Sequence, residues 1–378
     1  MMLREIIAAE IRQRGPIPFS RYMELCLYHP TLGYYSRERE RFGITGDFYT
    51  ASDIHAVYGR LLARQFNEMW RTLDRPTQVQ IIELGPGRGL FAEDLLAWSK
   101  KKFPEFASAL TYVLVESSPA LRNSLCERFQ AESAAGSVEV HCSLDSVGPR
   151  DAGIVFANEF FDALPVEVLS EKGELHIDVG EDGYFVERWS EPAAKTSEFV
   201  ERYGVPREPG ERVEAAPQMV QWIGNIAAKF VRGFCVFVDY GYTRDELLLG
   251  RHRDTVRAFR KHTMSANVYE APGEQDITAD VNFTALAELA REHGMTAMPL
   301  VTQSQFLLGI GEQTQFSDVF EGCVLRQEHA KRALQLKHLV TPAGMGEAFH
   351  VLVLAKGADK EKAARLSGLN FARTSVIR

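Results

Sequence analysis

Long apolar runs are missing from this 378-residue chain: no stretch approaches the roughly 18 uninterrupted apolar residues that a membrane-spanning helix requires. Its five cysteines, Cys26, Cys126, Cys142, Cys235 and Cys323, are scattered without a CxxC pair. That spacing argues against a disulfide framework and a structural zinc site, so no metal is expected. Positive charge is also scarce. Lys+Arg number 43 against 51 Asp+Glu, a net charge of −8, which is not the balance of a surface built to neutralise nucleic-acid phosphates. Arg4, Glu5 and Glu10 give the start a short amphipathic pattern, without the apolar run of a signal peptide or the acid-poor character of a transit peptide. A cytoplasmic protein is the expectation. Low-complexity tracts and internal repeats are absent too. What is present in quantity is hydrophobic residues, 45% of the chain, enough for a full α/β core with sizeable appendages.

Periodicity predicts helices over residues 3–14 and 19–28, closed by Gly15-Pro16 and His29-Pro30, and a longer one over 54–73 with apolar positions at Val57, Leu61, Leu62, Phe66 and Met69. After Pro76 short apolar runs alternate with amphipathic helices, at 79–84, 112–116, 138–141, 154–157 and 234–238. Such alternation predicts a doubly wound, mostly parallel sheet covered on both faces. An N-terminal helical extension (1–75) precedes this core, whose first part is 76–165. An insertion (166–230) is expected to hold a hairpin, with strands near 175–179 and 184–189 around Glu181-Asp182-Gly183. The rest of the core (231–356) contains a long stretch, 240–280, that reads as a functional loop region, and a C-terminal tail covers 357–378. Residues 283–293 read as a helix, 298–302 as a strand and 349–355 as a final, antiparallel strand.

The first core strand ends in Glu83-Leu84 and runs into Gly85-Pro86-Gly87-Arg88-Gly89. Missing side chains matter where a ligand must approach the backbone, and the helix that follows turns its N-terminal amides to the same space. A dinucleotide fingerprint would want a third glycine where Leu90 stands, and a P-loop would want a Gly-Lys-Ser/Thr that is absent. The pattern instead suits S-adenosylmethionine, with S-adenosylhomocysteine as the product. Glu83 would meet the cationic amino-acid end, and Glu116, with Ser117 behind it at the end of the second strand, would meet the ribose hydroxyls.

The fourth strand leads into Asn158-Glu159-Phe160-Phe161-Asp162, at the carboxyl end where open α/β sheets keep their sites. Asn158 is assigned to the cofactor. Glu159 and Asp162, beside aromatic rings, would suit a cationic nucleophile such as a guanidinium. Capping and solvated-turn roles are the bland alternatives for these acids. Asp47, in Gly46-Asp47-Phe48-Tyr49-Thr50, is a third candidate on the catalytic side, against a plain surface turn. Asp239-Tyr240-Gly241-Tyr242, after the fifth strand, is a further polar cluster, and the basic stretch 257–262 with His262 reads as a solvated loop.

These phrases together resemble the MidA-type family, which includes the mitochondrial complex I assembly factor acting as a protein arginine methyltransferase. The matching residues extend through Tyr28-His29-Pro30, Gly33-Tyr34-Tyr35, Gly46-Asp47-Phe48-Tyr49-Thr50, Glu83-Leu84-Gly85-Pro86-Gly87-Arg88-Gly89, Ala157-Asn158-Glu159-Phe160-Phe161-Asp162-Ala163-Leu164-Pro165, Asp239-Tyr240-Gly241-Tyr242 and Asp276-Ile277-Thr278-Ala279. The resemblance implies a class I methyltransferase fold, Rossmann-like, and a protein substrate with an arginine acceptor, a complex I-type subunit among the possibilities. Two alternatives remain open: a small-molecule O- or N-methyltransferase, and an assembly chaperone that binds the cofactor for structure.

Overall fold

The structure, a computed structural model, describes residues 2–36, 56–205, 208–245, 254–260, 263–265 and 267–372. The chain divides into two compact units, one drawn from Met1–Phe48, Phe161–Trp222 and Gly241–Leu286, the other from Tyr49–Phe160, Ile223–Tyr240 and Ala287–Arg378.

The second unit is built on the sheet that the apolar runs predicted. Its strands lie in the order Thr296–Ala297, Phe349–Lys356, Phe230–Tyr242, Arg150–Asn158, Val79–Leu84, Leu110–Val115, Val138–His141. The last five are mutually parallel, and Phe349–Lys356 returns antiparallel to Phe230–Tyr242. One face, with Ile81, Tyr112, Leu114, Ile154, Phe156 and Val236, shares a continuous core with Leu62 and Phe66 of helix Ala56–Thr72, Leu95 of helix Leu90–Lys102 and Leu307 of helix Gln303–Glu312. Strand order reverses between Val79–Leu84 and Arg150–Asn158, where Leu84 pairs with Ala157. In an open α/β sheet that reversal opens a crevice at the carboxyl ends of the two strands.

The first unit joins the N-terminal helices Leu3–Arg14 and Phe19–Tyr28 to a five-stranded sheet that includes Glu167–Ser170, Gly173–Val179 and Phe185–Ser190. The hairpin forms: Val179 pairs with Phe185 across a turn in which Gly183 takes φ 81° and Asp182 accepts the Tyr184 N–H at 3.0 Å. Glu167, 2% exposed, accepts the hydroxyl and the N–H of Ser20, and so anchors the start of the second helix.

Two sequence expectations are corrected. Residues 240–280 are not one long loop, because Arg257–Arg260, Thr263–Ser265 and Asp276–Thr278 pair as a three-stranded antiparallel sheet. Only Ala258 is buried in this strand and Arg257 and Arg260 stand at its two ends, so charge hid a short strand. Residues 298–302 are not one strand either; Thr296–Ala297 and Val301–Thr302 each pair briefly with Phe349–Lys356, and Pro299 lies between them with no N–H to donate. Among the described residues no helix is long and apolar enough to cross a membrane.

Candidate functional site

The glycine turn stands at the end of Val79–Leu84, and all three of its glycines occupy the left-handed region: Gly85 at φ 66°, Gly87 at 54° and Gly89 at 74°. Side chains rarely adopt this conformation, so the loop is open to the close approach of a ligand. A Cβ on Gly85 would come within 3.3 Å of the Phe160 ring, and one on Gly89 within 2.6 Å of Leu125 and 2.8 Å of Phe129. Gly89 is therefore held by packing, while Gly85 is exposed and faces the turn after the fourth strand. Helix Leu90–Lys102 begins at once, with its free N-terminal amides in this loop.

Two carboxyl groups flank the turn. Glu83, 5% exposed, shares a sheet face with Tyr112, whose hydroxyl donates to it at 2.8 Å. Burial, only partly offset by that hydrogen bond and reinforced by the charge of Glu116, pushes its pKa up to about 8. Glu83 is thus protonated at neutral pH until a cation comes near. Glu116, 6% exposed at the end of the neighbouring parallel strand, accepts the Ser118 N–H at 2.8 Å, which fixes one oxygen and orients the carboxylate. Ser117 beside it is exposed, with its carbonyl held by Arg122 at 2.6 Å.

The fourth strand ends in a turn of a different kind. Glu159 has φ 52°, a left-handed conformation that costs a non-glycine residue about 1–3 kcal/mol and persists only where neighbours impose it. Those neighbours are visible. The Glu159 N–H donates to the Val238 carbonyl at 2.9 Å, and the Phe160 N–H donates to Asp239 Oδ2 at 3.2 Å. Asn158 donates from Nδ2 to Glu159 Oε1 at 3.0 Å, while its Oδ1 accepts the Tyr58 hydroxyl at 2.9 Å. No helix follows before the strand Glu167–Ser170, so neither Asn158 nor Glu159 is a helix cap.

The second unit therefore brings together Glu83, Gly85, Gly87, Gly89, Glu116, Ser117, Asn158 and Glu159 at the carboxyl ends of adjacent strands. Asp162 belongs to the first unit, where it is 5% exposed and its carbonyl accepts the Ala279 N–H at 2.9 Å. Asp47 and His262 lie outside the described residues. The sequence reading missed Tyr58 and Tyr112. Each sits on a buried stripe as one polar atom among apolar neighbours, and a tyrosine there must find a hydrogen-bond partner. Among the described residues no group of three or more His, Cys, Asp or Glu could hold a metal ion.

The donor set fits S-adenosylmethionine. In a turn of three positive-φ glycines, exposed Gly85 and half-buried Gly87 leave backbone open to a ligand, a buried oriented carboxylate ends the next strand, and a buried carboxyl beside the turn would gain from a cationic partner. When bound, that cofactor supplies an electrophilic methyl group on a sulfonium.

Residues 61–301 match a protein family described as "Putative S-adenosyl-L-methionine-dependent methyltransferase". The chain is 30% identical over 388 residues to the Drosophila melanogaster protein named protein arginine methyltransferase NDUFAF7 homolog, mitochondrial, with 94% of this chain and 85% of the relative covered. Danio rerio and human proteins named protein arginine methyltransferase NDUFAF7, mitochondrial, are 29% and 27% identical, over 94% and 93% of this chain and 88% and 83% of theirs. A crystal structure from Burkholderia thailandensis with bound S-adenosyl-homocysteine superposes with a TM-score of 0.82 at 28% identity, covering 98% of this chain and 95% of that one. One expectation falls here. The curated relatives carry mitochondrial names, which overturns the cytoplasmic location inferred from the scattered cysteines and the N-terminal residues. An amphipathic start containing acids says too little about compartment to stand against that finding. The fold, the glycine turn and these matches agree that the chain is an enzyme using S-adenosylmethionine, and that it belongs to this MidA-type family of methyltransferases.

Proposed function

We propose that this methyltransferase acts on an arginine side chain of a protein. Gly85, Gly87, Gly89, Glu83, Glu116 and Ser117 hold the cofactor, Glu159 engages the guanidinium, and Asp162, three residues further on in the chain, is a second acid to be tested. Asp47, assigned to the same side from sequence, stays in the proposal as a residue to be tested. The observation that carries this reading is the placement of Glu159. It is a carboxylate held at φ 52° beside the glycine turn, at the carboxyl end of the strand adjacent to Val79–Leu84. A carboxylate recognises the planar fork of a guanidinium with two parallel hydrogen bonds. In that geometry Glu159 orients the nitrogen for in-line attack and takes the proton that leaves as the nitrogen is alkylated. The names of the curated relatives support the same acceptor.

Mass spectrometry of peptides from cells with and without the gene tests the proposal. At least one peptide should carry methylarginine only when the gene is present. Purified protein with methyl-labelled S-adenosylmethionine and an extract of the deleted cells distinguishes the alternatives. Label in protein arginine supports the proposal; label in the small-molecule fraction alone contradicts it, as does the absence of label from every fraction.

A further inference from the structure

We infer that Tyr58, Asn158 and Asp239 form a positioning device for the Glu159 carboxylate, so that Asn158 serves the acceptor side of the site rather than the cofactor. This rests on the reading of Glu159 as the acceptor-facing acid. The device has two arms. In the side-chain arm, a carboxylate only accepts, so the amide of Asn158 must turn its NH2 to Glu159 Oε1. Its oxygen then remains for the hydroxyl of Tyr58, which donates at 2.9 Å. The direction of every hydrogen bond is thereby set, from a phenol through an amide to the carboxylate.

Tyr58 is 1% exposed on helix Ala56–Thr72, with its ring 5.7 Å from that of Phe91. Burial first, then the charges of Glu159 and Glu83, raise its pKa well above the usual phenol range, so it stays a donor. In the backbone arm, Asp239 is 1% exposed and gives both oxygens to N–H groups, Oδ2 to Phe160 and Oδ1 to Tyr240 at 3.0 Å. The Glu159 N–H is tied to Val238. The left-handed turn is thus clamped on both sides of Glu159 by the adjacent strand, and its side chain is steered by a separate helix. A buried tyrosine in a merely structural role would not need to end its hydrogen bond on the very amide that holds the acid clamped by the neighbouring strand.

The conservative variant Tyr58→Phe keeps the ring and removes only the hydroxyl. Methyl transfer is followed with labelled S-adenosylmethionine and protein extract from cells lacking the gene, as total protein-bound label, so the result holds whichever residue is modified. The expected outcome is a rate ceiling lower by about tenfold, with the half-saturating extract concentration and the cofactor Kd both within about twofold of wild type. Asp239→Ala should lower the ceiling similarly, and Asp239→Asn, whose amide oxygen still accepts the Phe160 N–H while its NH2 turns on the Tyr240 N–H, should recover only part of that loss. In a Glu159→Gln background, Tyr58→Phe should add little further loss, because the two act as one unit. An unchanged ceiling in Tyr58→Phe overturns the device, as does a matching loss of cofactor affinity or an undiminished further loss in the Glu159→Gln background. Wild-type transfer by Glu159→Gln alone overturns the acceptor-side reading of Glu159 and this inference with it.

Discussion

Two turns stand side by side at the carboxyl ends of neighbouring parallel strands, and they solve opposite problems. The turn after Val79–Leu84 removes side chains: its left-handed positions are all glycine, and its acid, Glu83, is withdrawn into the sheet, hydrogen-bonded by Tyr112 and pushed up to about 8. The turn after Arg150–Asn158 keeps its side chain. Glu159 stands at a positive φ that glycine would adopt without strain, with Asp239, Val238 and Asn158 holding it there. Bare backbone suits a ligand that must lie close, whereas a charged side chain in a strained conformation suits a group that must be aimed. The comparison teaches that an acid at a strand end is not one kind of residue. Its neighbours decide whether it is a carboxyl withdrawn into the sheet or one aimed from a clamped turn.

That contrast can be broken experimentally, and the largest effect on cofactor binding belongs to the bare turn. Gly87→Val puts a β-branched side chain at φ 54° and should weaken cofactor binding by about 100-fold or more, about 2.7 kcal/mol, measured by calorimetry. At the aimed turn, Glu159→Ala should lower methyl transfer by on the order of 10³ while cofactor affinity changes by less than about threefold. If the two variants lose binding and turnover in the same proportion, the turns do not divide the work. Glu116→Ala should be intermediate, weakening the cofactor by about tenfold, since a hydrogen bond to a charged group is worth about 1.5–3 kcal/mol.

The smallest effect is a proton. At pH 7 Glu83 is protonated in the ligand-free protein, and an approaching ammonium would lower its pKa, so cofactor binding should release up to about one proton. Binding heats in phosphate and Tris buffers should then differ, and the part of that difference due to Glu83 should vanish in Glu83→Gln. The same group makes a stability prediction. Its folded pKa lies above the unfolded one, so the stabilising contribution of its protonated form is complete below about 4.5 and is lost as pH rises to about 8. Thermal melts of the ligand-free wild type should decline across that window relative to Glu83→Gln, with equal declines counting against a buried neutral Glu83.

Much of the second unit was legible in the sequence because its signals are local and periodic. The apolar runs at 79–84 and 138–141 became strands at the same boundaries, and the Gly-x-Gly-x-Gly turn fell where Glu83 and Leu90 placed it. What stayed hidden depends on partners far away in the chain. Tyr58 lies 100 residues from Asn158, and Tyr112 lies 29 from Glu83, so neither pairing leaves a trace in spacing. The strand Arg257–Arg260 read as a basic loop because two arginines flank its buried Ala258. Compartment was misjudged for a similar reason: the first residues could be read only by what they lack.

The most direct test takes wild-type protein and Glu159→Ala through two measurements on the same preparations, calorimetric binding of S-adenosylmethionine and transfer of its labelled methyl group into arginine of extract protein. The division of labour between the turns predicts equal cofactor binding in both, with methylarginine formed by the wild type and nearly abolished in the variant. Undiminished methylarginine in Glu159→Ala, or its loss in step with cofactor binding, would contradict it.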